Sequence, residues 1–486
     1  MVTTPASGQG YDAVLLVARP KAVSIALAKH GGLTVLLFGP PLVWSIVDSA
    51  QDLVLPLAVG TFIGLVPMVA TWRQPLPRDL RQGEAMVSFA LLFLMAALLS
   101  VPAFMSLGMP PVAALFEGMS AITTTGLSVA SNPDDWPFAA HVLRAWMQWC
   151  GGLAMATAVL ALVLGPGPAS RRLGQAGIDQ GDRIAATRAK ARQLLAAYIG
   201  LSVVGGGVLS MTAPIWSEGL VLSLSAVSTG GFAPRSDSLA SYDVLTQTLV
   251  ILLSVLGAMS LLVLALASKG DFKGAWGLGS LQRVFLFSAA TATVYAVALW
   301  WAGSDAIWLK ILDLLSGLST AGFSTGAMPV AGPALALFLL VMIMGGDEGS
   351  TAGGFKLARI TLIARAARHA LALPRLPDKA VAPLRMYGRP VSDRRVVALV
   401  ALIALYAATA LVVWTWMLAH GYPPGPAIFD TISALSTVGL STSVVSADMP
   451  HDLMVALTFA MWLGRLEFIA VLLLVLPRTW YHPKRT

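Results

Sequence analysis

Long apolar segments separated by short polar ones run along most of this chain. The first two, Leu33 to Val47 and Leu53 to Trp72, are divided by five residues that include Asp48 and Asp52. Four further pairs follow, and a shorter apolar segment stands between the two members of each pair. Because a helix needs about 20 apolar residues to cross a bilayer, the pattern predicts ten membrane spans and four half-helices. The predicted fold class is an all-α polytopic membrane protein.

The predicted elements group into an N-terminal hairpin and four pseudo-symmetric units around one pore, each with a span, a half-helix, a loop and a second span. The predicted divisions are a cytoplasmic segment over 1–32, the hairpin over 33–84, and units over 85–193, 194–283, 284–395 and 396–486. The spans of the units are predicted at 85–105, 141–164, 194–211, 244–268, 284–301, 396–419 and 453–476, with one more from Pro333 that breaks at Gly345. The half-helices are predicted at 110–123, 217–227, 307–318 and 427–435.

One eight-residue motif recurs at the end of each predicted half-helix. Its copies, which we call the first to fourth filter segments, are SAITTTGL at 120–127, SAVSTGGF at 225–232, SGLSTAGF at 316–323 and SALSTVGL at 433–440. Each has serine, a small residue, an aliphatic residue, serine or threonine, threonine, any residue, glycine, and then leucine or phenylalanine. Recurrence at such long intervals indicates duplicated units that are larger than the repeats of a solenoid.

The motif suits a cation filter. Its glycine lets the backbone adopt a positive φ without a steric penalty, so neighbouring carbonyl oxygens can turn to one side. Four such segments around one axis would form a ring of carbonyls that replaces the water shell of a cation, as in potassium filters. The half-helix ends add unpaired carbonyls and the negative end of a dipole. The predicted ion-binding residues are Thr123, Thr124, Thr125, Gly126, Ser228, Thr229, Gly230, Gly231, Ser319, Thr320, Ala321, Gly322, Ser436, Thr437, Val438 and Gly439.

The composition places most of the surface in lipid. Of the 486 residues, 57% are hydrophobic and 12% are charged, whereas a soluble protein carries about a quarter charged residues. The net charge of +8 lies mainly in short loops between apolar segments, which is typical of cytoplasmic loops. This predicts both termini in the cytoplasm, filter segments that enter from outside, and no nucleic-acid partner. The single cysteine, Cys150, excludes an internal disulfide and a cysteine-based metal cage.

Three acidic residues, Glu117, Asp313 and Asp430, stand nine positions before the motif glycine of their units, where the second unit has Leu222. Two interpretations stay open. An acid early in a short helix complements the positive end of the helix dipole. Alternatively, the three carboxylates make an outer vestibule negative and concentrate cations there.

The four filter segments, the ten spans and the glycine-rich break after Gly345 resemble the Trk/Ktr/HKT superfamily of cation transporters, and the N-terminal hairpin is most similar to its bacterial TrkH type. The resemblance extends from Leu33 to the C-terminus. It implies a potassium uptake protein of the bacterial inner membrane, working as a homodimer with one pore per chain. It also implies gating by a cytoplasmic TrkA-like ring, with a nucleotide on that ring only and no covalent cofactor. In this superfamily, glycine at every filter position accompanies potassium preference, and this chain has glycine at all four.

The resemblance also assigns a function to GGDEGSTAGGFK at 345–356, which interrupts the second span of the third unit. In the superfamily this segment is a flexible intramembrane loop under the filter that blocks ions until the regulatory ring pulls on it. A simple helix kink is the alternative. Asp347 and Glu348 depart from the small or uncharged residues that are usual there. The residues assigned to the gate are Gly345, Gly346, Asp347, Glu348, Gly349, Ser350, Thr351, Gly353, Gly354, Lys356 and, from the last span, Arg465.

Arg465 lies deep in the last predicted span, where an arginine is costly unless it is paired or faces water. Glu467 is two residues away and lies on nearly the opposite helix face. Asp347, Glu348 or carbonyls of the glycine-rich loop are therefore the better candidate partners. The expected role of Arg465 is an electrostatic barrier below the filter, and a structural bridge to the loop is the alternative.

Other functions fit the sequence less well. Two alternatives belong to the same superfamily: a sodium-permeable protein, and a potassium symporter coupled to sodium or protons. The filter glycines argue against sodium selectivity but not against coupling. An inverted-repeat transporter of organic solutes is disfavoured because each unit has two full spans and the units run in parallel. A membrane enzyme lacks a convergent acid–base constellation. GFSTG at 322–326 matches the G-x-S-x-G pattern of a nucleophile elbow, but it lacks the preceding strand that such an elbow needs.

Overall fold

Helices make up most of the described chain. The structure, a computed structural model, describes residues 17–75, 80–164, 180–375, 377, 383–386 and 389–481. The sequence before residue 17 and the basic loop with Arg171 and Arg172 lie outside these ranges. Within them, the one pair of strands is a short antiparallel hairpin of β1 (Arg385–Met386) and β2 (Arg389–Pro390). The fold is therefore mostly helical, as predicted.

The N-terminal part is a helical hairpin that packs on the outside of the first unit. Its helices are α1 (Pro20–Lys29), α2 (Leu33–Val47), α3 (Gln51–Ile63) and α4 (Leu65–Ala70). The indole N–H of Trp146 donates to the carbonyl of Leu36 over 2.8 Å, and Asp48 accepts the backbone N–H of Ala139 over 3.0 Å. Apolar side chains elsewhere on the hairpin, such as that of Leu55, are exposed and suit contact with lipid.

The four units follow in chain order, and each has a half-helix of 12 or 13 residues next to longer helices. The first contains α5 (Gln82–Met105), α6 (Pro111–Ile122) and α7 (Phe138–Leu164). The second contains α8 (Gln180–Thr212), α9 (Trp216–Val227), α10 (Val244–Gly257) and α11 (Leu261–Ala267). The third contains α12 (Phe272–Gly277), α13 (Ser280–Trp301), α14 (Ile307–Ser319), α15 (Gly332–Met344) and α16 (Leu357–Ala372). The fourth contains α17 (Asp393–Ala419), α18 (Pro424–Leu435), α19 (His451–Arg465) and α20 (Ile469–Val475).

Six stretches of the described helices are long and apolar enough to cross a membrane. They cover 20–47, 51–70, 82–105, 191–212, 280–301 and 393–419. A seventh candidate is the pair α10 and α11, whose axes are bent by 100°. By length and composition, the chain can cross a membrane several times, but not every predicted span is one continuous helix.

Two spans are interrupted where the sequence predicted continuous helices. The span predicted at 244–268 bends after Gly257, and the carbonyl of Ala258 there accepts the backbone N–H of Asp347 over 3.0 Å. The span predicted at 453–476 breaks after α19, where Glu467 and Phe468 have φ angles of 55° and 64°. Neither break contains a proline, so the usual local cause of a kink is missing from both.

The helix that follows a filter segment packs closely against the end of the half-helix in three of the four units. In each case a Cβ atom on a glycine of the following helix would collide with the last carbonyl oxygen of the half-helix. The pairs are Gly151 with Ile122, Gly257 with Val227, and Gly464 with Leu435. These glycines bring two helices to backbone contact directly behind the filter segment.

Replacing Gly464 by alanine is expected to destabilise the folded protein, because the added methyl group would overlap the carbonyl oxygen of Leu435. Overpacking of this kind costs about 1–3 kcal/mol, so the melting temperature of the purified protein in detergent should fall. Gly207→Ala is the matched control, since Gly207 also lies inside a helix and a Cβ atom there meets nothing within 4 Å. Equal melting temperatures for the two variants would contradict this account of the packing.

Candidate cation site

Each half-helix ends at the same positions of the repeated motif. The backbone N–H of the sixth motif residue donates to the carbonyl of the first serine over 2.8–3.0 Å in all four copies. The donors are Thr125, Gly230, Ala321 and Val438. This bond is part of the Schellman motif, which closes the C-termini of helices. The repeated motif therefore ends the half-helix in the same way in every unit, and we call this helix C-terminus the stop.

The fifth motif residue, a threonine in every copy, adopts a left-handed conformation at this stop. Its φ angle is 54° at Thr124, 54° at Thr229, 55° at Thr320 and 50° at Thr437. A Schellman stop usually has glycine at this position, and a positive φ is a genuine outlier for a β-branched residue. Backbone strain of this kind costs about 1–3 kcal/mol and persists only where the surrounding structure imposes it, often at functional sites.

The four filter segments contact one another in a closed ring. The motif glycines have φ angles between 76° and 98°, and a Cβ atom on any of them would overlap a carbonyl oxygen of another filter segment. Gly126 faces the oxygen of Gly230, Gly231 that of Ala321, Gly322 that of Val438, and Gly439 that of Thr125. The contacts return to their starting point, so the segments surround a common axis in the order of the sequence. Only glycine permits this approach.

The hydroxyl groups at the fourth motif position mainly complete the helix ends. Those of Thr123, Ser228 and Ser319 donate to carbonyls of their own half-helices over 2.6–3.0 Å. The hydroxyl of Ser436 instead shares a hydrogen bond of 2.6 Å with the phenol of Tyr406. The four hydroxyl groups are thus engaged by protein partners. The backbone carbonyls of these residues are therefore the better candidate ligands for an ion.

The threonine hydroxyls at the fifth position are less uniformly engaged. Thr320 accepts the backbone N–H of Gly353 over 2.6 Å, and Thr229 donates to the carbonyl of Ser228 over 2.7 Å. The hydroxyl oxygens of Thr124 and Thr437 are buried and have no partner among the described residues. Water or an ion can satisfy a buried polar group of this kind.

The three acidic residues expected at a vestibule lie inside the protein instead. Glu117 and Asp430 have no exposed surface, and Asp313 is 4% exposed. Each carboxylate accepts a backbone N–H from the chain that follows its filter segment. The donors are Val129 to Glu117 over 3.3 Å, Thr325 to Asp313 over 2.6 Å, and Thr442 to Asp430 over 2.8 Å. Their burial and these bonds show that the carboxylates tie each half-helix to the backbone beyond the filter segment. A vestibule function for them stays a prediction.

The glycine-rich loop at 345–356 packs against the half-helix ends of three units. Thr351 donates through its hydroxyl to the carbonyl of Val227 over 3.0 Å, and Gly354 donates its N–H to the carbonyl of Ser436 over 3.1 Å. Gly353 donates to Thr320, as described above, and a Cβ atom on Gly353 would overlap the carbonyl oxygen of Ser436. The loop therefore bonds to backbone and hydroxyl oxygens at the ends of the half-helices.

The acidic residues of this loop bind arginines outside it. Asp347 pairs with Arg283 over 2.5 Å, and Glu348 pairs with Arg359 over 3.3 Å. Arg359 also pairs with Glu467, at the break in the last span, over 2.7 Å. Lys356 turns its ammonium group back to the carbonyl of Ala352 within the loop. Neither acidic residue of the loop is bonded to Arg465 or Lys356.

Arg465 is buried and binds the same loop. Its Nη1 donates to the carbonyl of Thr351 over 2.8 Å, whereas Nε and Nη2 have no hydrogen-bond partner among the described residues. A guanidinium is always charged. Its partner is therefore a loop carbonyl, and a positive charge remains next to the half-helix ends.

The polar face of α7 also contributes to the site, although no motif predicted it. Gln148 has no exposed surface, its Nε2 donates to the carbonyl of Gly230, and its Oε1 accepts the N–H of Phe232 over 3.3 Å. The available signal was the recurrence of His141, Arg144 and Gln148 at every third or fourth residue of an otherwise apolar span, which places them on one helix face.

Comparison with known proteins identifies the family. Residues 90–480 match the TrkH family, which is described as a cation transport protein. A Trk system potassium uptake protein TrkH of Halomonas elongata is 26% identical over 460 residues, which cover 87% of this chain and 91% of that protein. An uncharacterized cation transporter of Methanocaldococcus jannaschii is 24% identical over 423 residues, covering 86% and 87%. The crystal structure of the potassium transporter TrkH from Vibrio parahaemolyticus has a TM-score of 0.81 at 21% identity and covers 95% of this chain and 99% of that one.

These findings confirm the family resemblance that the filter segments indicated. The match extends over far more than half of the chain, and the solved structure has the same fold over nearly its whole length. The relatives are transporters and not enzymes. The chain is a multi-pass membrane protein that belongs to the TrkH family of cation transport proteins.

Proposed function

We propose that this chain carries potassium ions across the bacterial inner membrane into the cell, through a pore whose selectivity filter is the ring of filter segments. The observation that carries the proposal is the closed cycle in which each motif glycine faces a carbonyl oxygen of the next segment. Such a ring of backbone oxygens can replace the hydration shell of a cation. Relatives described as potassium uptake proteins support the choice of ion.

The proposed pore uses all four units, and together with the N-terminal hairpin they make ten spans. Several of the second spans are broken helices, which membrane proteins tolerate where the broken backbone is buried or lines a pathway. The basic loops favour an orientation with both termini in the cytoplasm. In that orientation, the filter segments are entered from outside the cell.

A monovalent cation would be bound in this ring without a neighbouring free carboxylate. The half-helices direct the negative ends of their dipoles toward it, each equivalent to about half an elementary charge. The carboxylates of Glu117, Asp313 and Asp430 are already bonded to backbone N–H groups. Neutral oxygens hold an ion weakly enough for it to leave again, which conduction requires.

The glycine-rich loop is the proposed gate. Its hydroxyl and N–H donors occupy oxygens at the half-helix ends that an ion leaving the ring would meet next. Arg465 adds a positive charge at the same place. A cation therefore has to displace both the loop and this charge, so opening requires the loop to move.

We also propose that two copies of the chain form a homodimer and that a cytoplasmic, nucleotide-binding ring similar to TrkA moves the loop. Both partners follow from the resemblance to the family. Arg359 supports the regulatory path, because it pairs with Glu348 of the loop and with Glu467 at the break in the last span. A pull on α16 would therefore reach the loop.

Gly439→Ser is expected to lower the ratio of rubidium to sodium flux into liposomes that contain the purified chain. A side chain at this position, where φ is 98°, would overlap the carbonyl oxygen of Thr125 and open the ring. We expect about a tenfold fall in the ratio, equivalent to about 1.4 kcal/mol of lost discrimination. Gly421→Ser is the matched control, because Gly421 has a φ of 85° but nothing within 4 Å of an added Cβ atom. Equal rubidium and sodium entry through the unmodified chain would refute potassium selectivity.

Deletion of residues 349–353 is expected to raise the flux of the chain in the absence of any partner, because it removes the donors of Thr351 and Gly353. Thr351→Val should act in the same direction but more weakly, since it keeps the shape of the side chain and loses only the hydroxyl bonds to Val227, Gly257 and Thr229. Rubidium flux into liposomes measures both effects. An unchanged flux in the deletion variant, with its melting temperature preserved, would remove the loop from the gating mechanism.

Arg465→Ala is expected to increase rubidium flux, because it removes the buried charge and the bond to the carbonyl of Thr351. The rise should be larger at low rubidium concentration, where an electrostatic barrier limits entry most. Arg73→Ala, at an exposed arginine near the end of the hairpin, controls for the loss of one positive charge. A similar flux in both variants would indicate that Arg465 is only a structural bridge to the loop.

A further inference from the structure

The amide group of Gln148 bridges the backbone on either side of Gly231 in the second filter segment. Its Nε2 donates to the carbonyl of Gly230, and its Oε1 accepts the N–H of Phe232 over 3.3 Å. Because one partner can only accept and the other can only donate, the orientation of the amide follows from the partners. Gln148 is fully buried, so water does not compete for these bonds.

A second side chain of α7 holds the same segment one turn away. Arg144 donates through Nη2 to the carbonyl of Ala233 over 3.2 Å, and its guanidinium lies 4.8 Å from the ring centroid of Phe232. Its Nη1 pairs with Glu117 in the first half-helix over 3.3 Å. The helix thus connects the first half-helix to the second filter segment.

The second filter segment is the one that most needs such support. Its sixth and seventh residues are both glycine, whereas the sixth residue is threonine, alanine or valine in the other three segments. Two consecutive glycines leave the backbone with the greatest conformational freedom. A Cβ atom on Gly230 would overlap the amide of Gln148, so the glutamine occupies the space that a side chain at position 230 would fill.

The bridge has no counterpart at the matching positions of two other units. The helices that follow the filter segments can be aligned on the glycines that face equivalent half-helix carbonyls, which are Gly151, Gly257 and Gly464. Three residues before each glycine stand Gln148, Ser254 and Met461. Ser254 donates to the carbonyl of Val250 in its own helix, and methionine has no donor. Neither can bridge a filter segment.

We propose that Gln148 is a positioning residue for ion selection: it holds the carbonyl of Gly230, one of the four that meet a motif glycine, at a fixed place in the ring. This inference rests on the proposed function of the ring as a potassium filter. Without the bridge, the carbonyl of Gly230 is free to shift toward a smaller ion, and sodium is then bound better than before. The expected consequence is a loss of selectivity at nearly constant total flux.

Rubidium and sodium fluxes into liposomes test this with Gln148→Ala, Gly230→Ala and the double variant. In Gln148→Ala the ratio of rubidium to sodium flux should fall by about two- to tenfold, the range expected for loss of the single bond that holds the carbonyl of Gly230. Gly230→Ala alone should lower the melting temperature, since its methyl group overlaps the amide of Gln148. In the double variant the alanine fits the vacated space, as Ala321 does at this position of the third segment, and the ratio should recover.

Gln247→Ala is the matched control. Gln247 is 3% exposed, and its Nε2 donates to the carbonyls of Leu239 and Tyr242, outside the ring. Its replacement should leave the flux ratio unchanged. If Gln148→Ala does not fold, Gln148→Leu fills the space without the bridge and should show the same fall in the ratio.

Two results would overturn the inference while leaving the potassium filter intact. One is an unchanged ratio in a folded Gln148 variant when the unmodified chain prefers rubidium. The other is a ratio in the double variant no higher than that of Gln148→Ala, because the support would then not act through position 230. An unmodified chain without any preference for rubidium would instead overturn the proposed function itself.

Discussion

The approach of four backbone segments to one another at their glycines is the constraint on which the rest of this structure depends. At each contact, a carbonyl oxygen occupies the volume that any side chain at the glycine would need. The four contacts form a cycle, so a displacement at one of them is transmitted to the others. Carbonyl oxygens repel one another and have to be held by the surrounding protein. The threonines two residues before each glycine have positive φ angles, and this backbone strain is imposed by the arrangement.

The elements around the ring can be understood as its support. The half-helices stop with the same hydrogen bond, and three of the helices that follow have a glycine directly against those stops. Buried carboxylates bind the backbone beyond three of the filter segments, and the second unit, which has Leu222 at that position, is held by Gln148 and Arg144 from α7 instead. In a membrane, each unsatisfied backbone group costs several kcal/mol. Irregular backbone inside a membrane protein therefore needs hydrogen-bond partners of this kind.

In the proposed mechanism, the loop and the ion compete for similar oxygens. The donors of Thr351, Gly353 and Gly354 bond to groups at the half-helix ends, where the helix dipoles favour positive charge. Arg465 contributes a fixed positive charge at the same place. The acidic residues of the loop are neutralised by Arg283 and Arg359, so the net effect near the half-helix ends is positive. If the loop is the gate that we propose, the closed state is stabilised by the same electrostatics that would attract a cation.

The sequence by itself determined the mostly helical membrane fold, the positions of the half-helices and the four filter segments, because apolar length and a repeated motif are local properties. It also pointed to the break at Gly345 and to Arg465. Only the tertiary structure decided that Glu117, Asp313 and Asp430 are buried. It alone also decided that the second span of the second unit bends near Ala258, that the last span breaks near Glu467, and that Asp347 and Glu348 pair with arginines other than Arg465. The partners of these groups lie in other elements, or far along the chain, so no local pattern encodes them. Gln148 shows the same limit: its spacing was visible in the sequence, but the backbone that it supports is brought to it by the packing of another unit.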